Sequence, residues 1–196
     1  MLVTNLKEQY FLKILPVVRN EEKNMFSKKV RQAMNDQIHH EIESAYIYLS
    51  MAAYFEAETY PGFSQWMKIQ FEEEMAHAFR FYDFIHSRGE RVTLQAIGEP
   101  QANFESILAV FEGALAHEQK ITGDIHRLYE LAMEEKDYPS ISFLQWFIDE
   151  QVEEEEHVGE VVENIKRAGD NNHALLMLDR ELGQRQPPVE TEGEQA

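Results

Sequence analysis

No cysteine occurs among the 196 residues, which removes disulfide frameworks, thiolate zinc sites and iron–sulfur centres from consideration. Any bound metal must therefore be held by Glu, Asp, His or Gln. Basic residues are scarce: 18 Lys and Arg stand against 36 Asp and Glu, a formal net charge of −18. That balance makes nucleic acid and anionic membranes poor partners and cations good ones. No apolar run approaches the roughly 18 to 20 residues that a transmembrane helix needs. The stretch 10–18 is broken by Lys13 and Pro16 and has neither a basic leader nor a convincing cleavage site, so no secretory signal is read and the cytoplasm is the expected compartment. Only six prolines are present, and none lies inside a long periodic stretch.

That proline punctuation implies four long helices. The apolar spacing agrees, alternating steps of three and four through Met34, Ile38, Ala45 and Ala52; Phe63, Met67, Phe81 and Phe84; Phe104, Ile107, Phe111, Ala114, Ile121, Ile125 and Leu128; and Leu144, Phe147, Val158, Val161 and Ile165. Gly169 is a candidate C-cap, followed by a short fifth helix over 174–182. Residues 57–62 and 135–140 are short turns, so helices one and two, and helices three and four, form antiparallel hairpins. The connection 89–103 can reach about 50 Å at roughly 3.3 Å per residue, more than the length of a 27-residue helix at about 40 Å. Helices two and three therefore run parallel. The expected division is an N-terminal extension of unknown role (1–24), one folded domain (25–185) and an acidic flexible tail (186–196). Gly113, Gly123 and Gly159 are read as allowing close helix packing.

The residues that interrupt these seams carry the chemistry. Helix one has Glu41, helix two Gln70, Glu74 and His77, helix three Glu118, and helix four Gln151 and Glu154. One unpaired buried carboxylate costs several kcal/mol, so four converging in one core require something positive among them. Glu41 precedes Glu74 by 33 residues and His77 by 36; Glu118 precedes Gln151 by 33 and Glu154 by 36. The hairpins thus look like copies of one unit, offset by 77. Glu41, Glu74, Glu118 and Glu154 carry four negative charges, matching two divalent ions, and oxygen ligands with a single imidazole suit iron or manganese. An alternative register, offset by 80, would pair Glu154 and His157 with Glu74 and His77. The hairpin spacing favours 77, which takes His157 out of reach of the metal pair. Tyr48, seven residues after Glu41 on the same seam, is either a core tyrosine or an electron donor beside the site. His39, His40, His86, His117, His126 and His173 are read as surface residues.

From 26 to about 185 the chain resembles the ferritin superfamily, specifically bacterial and archaeal non-haem ferritins. The motifs are Glu41-Ile42 with Tyr48, Glu73-Glu74-Met75-Ala76-His77, His117-Glu118-Gln119, and Phe143-Leu144-Gln145-Trp146 leading into Glu150-Gln151-Val152-Glu153-Glu154. The resemblance implies an all-α, ferritin-like four-helix bundle with a long crossover and a short fifth helix. It also implies iron storage with ferroxidase activity: Fe(II) is oxidised by O₂ at a di-iron centre and stored as a ferric mineral. Glu41, Glu74, His77 and Glu118 become iron ligands, Gln151 and Glu154 complete the second iron's surroundings, and Tyr48 lies beside the pair. Glu73, Glu150, Glu153 and Glu154 resemble an additional iron site, and a shell of twenty-four subunits is implied.

The alternative is a haem-containing bacterioferritin, whose haem-ligating methionine falls where Met75 stands. Non-haem ferritins share that methionine, and Gln at 151 leans against haem. A rubrerythrin-type peroxidase would need a cysteine-bound iron, and a DNA-protecting mini-ferritin is shorter, lacks the fifth helix expected here and often has a basic tail, whereas this tail is acidic.

Overall fold

The computed structural model describes residues 26–187. Five helices follow one another: α1 (Lys28–Ala57), α2 (Pro61–Ser87), α3 (Ile107–Glu134), α4 (Tyr138–Ala168) and α5 (Asn172–Leu182). Among the described residues there is no strand. The expected extension at 1–24 lies outside the described residues, as does nearly all of the expected tail. The helix boundaries follow local chemistry: Ser27, Ser106, Asp137 and Asn171 each cap a following helix through a side-chain oxygen, while Pro61 and Pro139 occupy first-turn positions where no amide donor is needed.

Two apolar clusters fix the topology. One joins the second half of α1 (Tyr48, Phe55), the start of α2 (Phe63, Met67), the start of α3 (Val110, Phe111), the end of α4 (Val158, Ile165) and α5. The other joins the start of α1 (Val30, Met34), the end of α2 (Phe81, Ile85), the end of α3 (Ile121, Leu128) and the start of α4 (Leu144, Phe147). α2 and α3 therefore run parallel, as expected, and both are antiparallel to α1 and α4. The crossover after α2 tracks α1 through successive contacts: Arg31 with Glu90, Thr93 N–H donating to Asn35 Oδ1 at 2.8 Å, and Ser50 Oγ donating to Gln101 O at 2.8 Å. Phe104, expected on the third helix, lies in this crossover and meets Tyr54 edge-on at 5.2 Å.

Both hairpin turns end their first helix with the same pair of main-chain bonds. In the first, Thr59 N–H reaches Glu56 O (3.2 Å) and Tyr60 N–H reaches Phe55 O (2.9 Å); in the second, Lys136 reaches Met133 (3.1 Å) and Asp137 reaches Ala132 (2.9 Å). Every partner is displaced by 77 residues, and the pattern satisfies carbonyls a helix end leaves open.

α5 docks across the start of α2. Tyr60 gives α2 no side-chain cap; instead Asp179 Oδ1 accepts from the backbone N–H groups of Gly62 (2.8 Å) and Phe63 (2.9 Å). A Cβ at Gly62 would stand 1.6 Å from the Asp179 carbonyl oxygen, so only glycine allows this approach. The expectation for Gly113, Gly123 and Gly159 is corrected here. The first meets only a methionine tip at 3.9 Å, the second only the end of the Arg127 side chain, and the third nothing within 4 Å. Gly169 does end α4, with φ 53°.

Candidate metal centre

Between the two apolar clusters lies a polar layer made of the seam interruptions. Glu41, Gln70, Glu74, His77, Glu118, Gln151 and Glu154 are all buried. The 77-residue repeat of the turns sets their heights, since distance from a turn fixes height along a helix at about 1.5 Å per residue. Glu41, Glu74 and His77 bring one ligand atom each to within 4.8 Å of one another, and His77, Glu150 and Glu154 do the same. His77 joins the groups: its Nδ1 lies 3.6 Å from Glu74 Oε2 and its Nε2 3.9 Å from Glu150 Oε1. The imidazole is held edge-on by Trp146 and Phe147, at 5.5 and 5.8 Å between centroids.

Neutral donors steady the other carboxylates. Gln37 Nε2 donates to Glu41 Oε1 at 2.9 Å, leaving Glu41 Oε2 buried with no hydrogen-bond partner. Tyr48, fully buried, donates its hydroxyl to Glu118 Oε1. Gln151 Nε2 donates to Glu118 Oε2 at 3.4 Å and to Thr122 Oγ1 at 3.3 Å. Gln70 Nε2 donates to Glu154 Oε2 at 2.8 Å.

Too many acids share this layer for all to be ionised in the bare protein. Burial, reinforced by the charge of Glu74, pushes the Glu41 carboxyl to about 8. Burial with the charge of Glu154 does the same for Glu118, and burial with Glu118 and Glu154 raises Glu74 well above the carboxylate range. Burial and the Glu118 charge hold the Tyr48 hydroxyl in its protonated form. A pair of divalent cations would invert this balance by favouring every deprotonated carboxylate at once. The orphaned Glu41 oxygen, lacking any donor, is of the type such a cation uses.

The carboxylates of the expected additional site are less closely gathered. Glu73 and Glu150 are half-buried and Glu153 is exposed. Burial raises Glu150 and pushes Glu73 to about 7 against the opposing charge of Arg185. Arg185 Nη2 donates to both Glu73 oxygens, at 3.0 and 2.8 Å. Neither Arg185 nor the ligand-holding roles of Gln37 and Thr122 was anticipated. Gln37 lies four residues before Glu41, one helical turn, and so had a local signal; Arg185 had none.

His157, one turn past Glu154, is exposed, while Gln151 and Glu154 face the interior, the arrangement the 77 offset requires. The histidine expectation needs partial correction. His86, His126 and His173 are exposed, but His39, His40 and His117 are half-buried. His117 Nε2 lies 2.7 Å from Ser44 Oγ, and burial, with Lys120 nearby, pushes the imidazole down to about 4.

This geometry accords with what the chain is similar to. A family model, the ferritin-like domain, matches residues 31–168. The chain belongs to the ferritin family. The bacterial non-heme ferritin of Staphylococcus aureus (strain USA300) is 41% identical over 161 residues, covering 82% of this chain and 97% of that protein. That of Staphylococcus haemolyticus (strain JCSC1435) matches at the same identity and coverage. Among solved structures, an open pore ferritin from the archaeon Archaeoglobus fulgidus superposes with a TM-score of 0.82 at 47% identity, covering 83% of this chain and 99% of that one. The relatives support the non-haem reading over the bacterioferritin alternative, and the four-helix bundle expected from the seams, ferritin-like by the resemblance, is the fold observed.

Proposed function

We propose that this chain is an iron-storage ferritin subunit that oxidises Fe(II) with O₂ in the polar layer and passes Fe(III) on to a ferric mineral. The observation that carries the reading is the convergence of buried Glu41, Glu74 and His77 about one point, with Glu118 and Glu154 in the same layer. Glu41, Glu74 and His77 Nδ1 would hold one iron, and Glu74, Glu118 and Glu154 the other, with Gln151 as a neutral neighbour. Two Fe(II) are proposed per subunit, Glu74 spanning them, and a third at Glu73, Glu150, Glu153 and Glu154.

Two Fe(II) each give up one electron; O₂ takes both electrons with two protons and leaves as hydrogen peroxide. Protons displaced from Glu41 and Glu118 when iron binds are released where reduced oxygen takes them up. Holding both metals in one dry layer orients the oxygen and balances the charge that develops on it. Where the third Fe(II) also reacts, Tyr48, hydrogen-bonded to Glu118, would give the fourth electron together with its proton: three Fe(II) and Tyr48 then take O₂ with four protons in all to two waters, and a further Fe(II) with one proton restores the tyrosine. The storage vessel is proposed to be a hollow homo-oligomer of twenty-four subunits in the cytoplasm, where reducing conditions keep Fe(II) available.

Oxygen uptake on adding Fe(II), followed beside particle size and iron content, tests the reading. The wild type should consume O₂ rapidly and retain iron in a large assembly. Glu74→Ala should assemble normally and lose the fast phase; wild-type rates in that variant would remove the centre from this layer.

A further inference from the structure

Beyond the end of α5 the chain turns back through Gln184 N–H to Glu181 O (3.0 Å) and Arg185 N–H to Leu182 O (3.1 Å). That turn aims Arg185 at α2. Its Nη2 donates to both oxygens of Glu73, its Nη1 donates to Gln70 Oε1, and its guanidinium lies over the Trp66 ring, 4.9 Å from the centroid. The ion pair is mostly out of solvent, with side chains 21% and 11% exposed for Arg185 and Glu73, so it is weakly screened by salt, while the burial that pushes Glu73 to about 7 offsets part of the attraction.

The guanidinium has donors and no acceptor. Gln70 must therefore turn its oxygen toward Arg185, which leaves its NH₂ facing Glu154 Oε2 at 2.8 Å. Arg185 thus engages two of the four carboxylates assigned to the additional iron site: Glu73 directly, and Glu154 through the amide it orients. A metal needs the oxygen lone pairs that these donors occupy.

We propose that Arg185 is a tethered cation held in place of a metal at the additional site, so that iron binds there only by displacing it and leaves more readily when it returns. The inference rests on the reading of Glu73, Glu150, Glu153 and Glu154 as an iron site. It makes that site a weak station for passing iron, and makes Arg185 the residue that sets its affinity. No covalent bond is made or broken in the exchange: the hydrogen bonds of a monovalent guanidinium give way to coordination of a divalent ion by the freed carboxylate oxygens.

The test is an anaerobic titration of the assembled protein with Co(II), a non-oxidising substitute for Fe(II), in wild type, Arg185→Ala and Arg185→Lys, each with and without Glu73→Gln. Thermal melts and particle size are recorded alongside, and Arg185→Met, which keeps an apolar stem over Trp66, replaces Ala if α5 loosens. In Arg185→Ala the weakest class of sites should bind about tenfold more tightly, the equivalent of one charge-assisted hydrogen bond exchanged. Lys should give an intermediate shift, since an ammonium keeps the charge but not the planar fork that reaches Glu73 and Gln70 together. Glu73→Gln should erase this class in every background and leave the tighter sites occupied. Equal affinity in wild type and Arg185→Ala, with Glu73→Gln still erasing the class, would leave the site standing and reduce Arg185 to a fastening for the chain end. Absence of any Glu73-dependent class in Arg185→Ala would overturn both the site and the inference.

Discussion

Thr59 and Lys136 share one left-handed backbone conformation, φ 61° and 56°, and stand 77 residues apart. Each is the residue at which a long helix stops and its hairpin turns. The same interval separates Glu41 from Glu118 and Glu74 from Gln151, so the two turns act as matched origins from which the polar layer is measured. This is why α4 presents Gln151 and Glu154 to the interior and His157 to solvent.

A left-handed conformation costs a non-glycine residue about 1–2 kcal/mol, and β-branched Thr59 is especially ill-suited to it. Thr59→Gly and Lys136→Gly should each stabilise the protein by about 0.5–1 kcal/mol after glycine's own entropic cost. Denaturant midpoints would register the gain; lower midpoints in both variants would show that the turns are unstrained.

The pH dependence of the metal-free protein should run opposite to that of most acidic proteins. Glu41 and Glu118 keep their protons to about 8 in the fold, against 4.5 as the ordinary value. Between these limits the folded state binds more protons than the unfolded chain, so stability falls as pH rises through this window. Melting temperature should therefore drop from about pH 5 to about pH 9, and Co(II) should suppress the drop while releasing protons, measurable by calorimetry in buffers of different ionisation enthalpy. A metal-free melting temperature that climbs across the window would contradict the assigned protonation.

Tyr48→Phe should keep the bundle and its metal occupancy but remove the hydroxyl bonded to Glu118, costing about 1–2 kcal/mol. If Tyr48 gives an electron during turnover, stopped-flow oxidation in this variant should be slower or follow a different time course. Superimposable traces would return Tyr48 to a purely packing role.

His157→Ala should leave Fe(II) binding at the paired site unchanged, whereas Glu154→Ala should weaken it. Anomalous scattering from anaerobically soaked crystals distinguishes the registers. The principal peaks are expected near Glu41, Glu74, His77, Glu118 and Glu154, and one bonded to His157 would require α4 to be shifted by a turn.

Much of the fold was legible because its cues are local. Pro61 and Pro139 marked the turns, three- and four-residue spacing marked the buried faces, and the length of the crossover set α2 parallel to α3. The convergence of buried carboxylates was legible for a related reason: Glu41, Glu74, Glu118 and Glu154 break apolar seams, and one interval relates the two hairpins. What was hidden depends on contacts between distant segments. Nothing around Asp179 announces that it caps the helix containing Phe63, 116 residues earlier in the chain, and Gly62 reads like any glycine after proline. His117 looked like a surface histidine because its neighbour Ser44 comes from another helix, 73 residues earlier. Arg185 lay at the assumed edge of the domain, where sequence alone offers no partner.

Asp179→Ala should cost about 1–2 kcal/mol, the usual worth of a lost N-cap, and should loosen α5 before the bundle melts. Hydrogen exchange at Gly62 and Phe63 would rise first. Unaltered protection at those two amides would mean that other groups satisfy them.

The cap on α2 has a further meaning during synthesis. Gly62 and Phe63 leave the ribosome more than a hundred residues before Asp179 does, so α2 waits with an unfinished first turn until the end of the domain emerges. Contacts of such long sequence separation form late and slowly, and domains generally fold as units as they appear. A chain cut short before α5 would leave those two amides to water, and its α2 would begin without a cap worth about 0.5–2 kcal/mol.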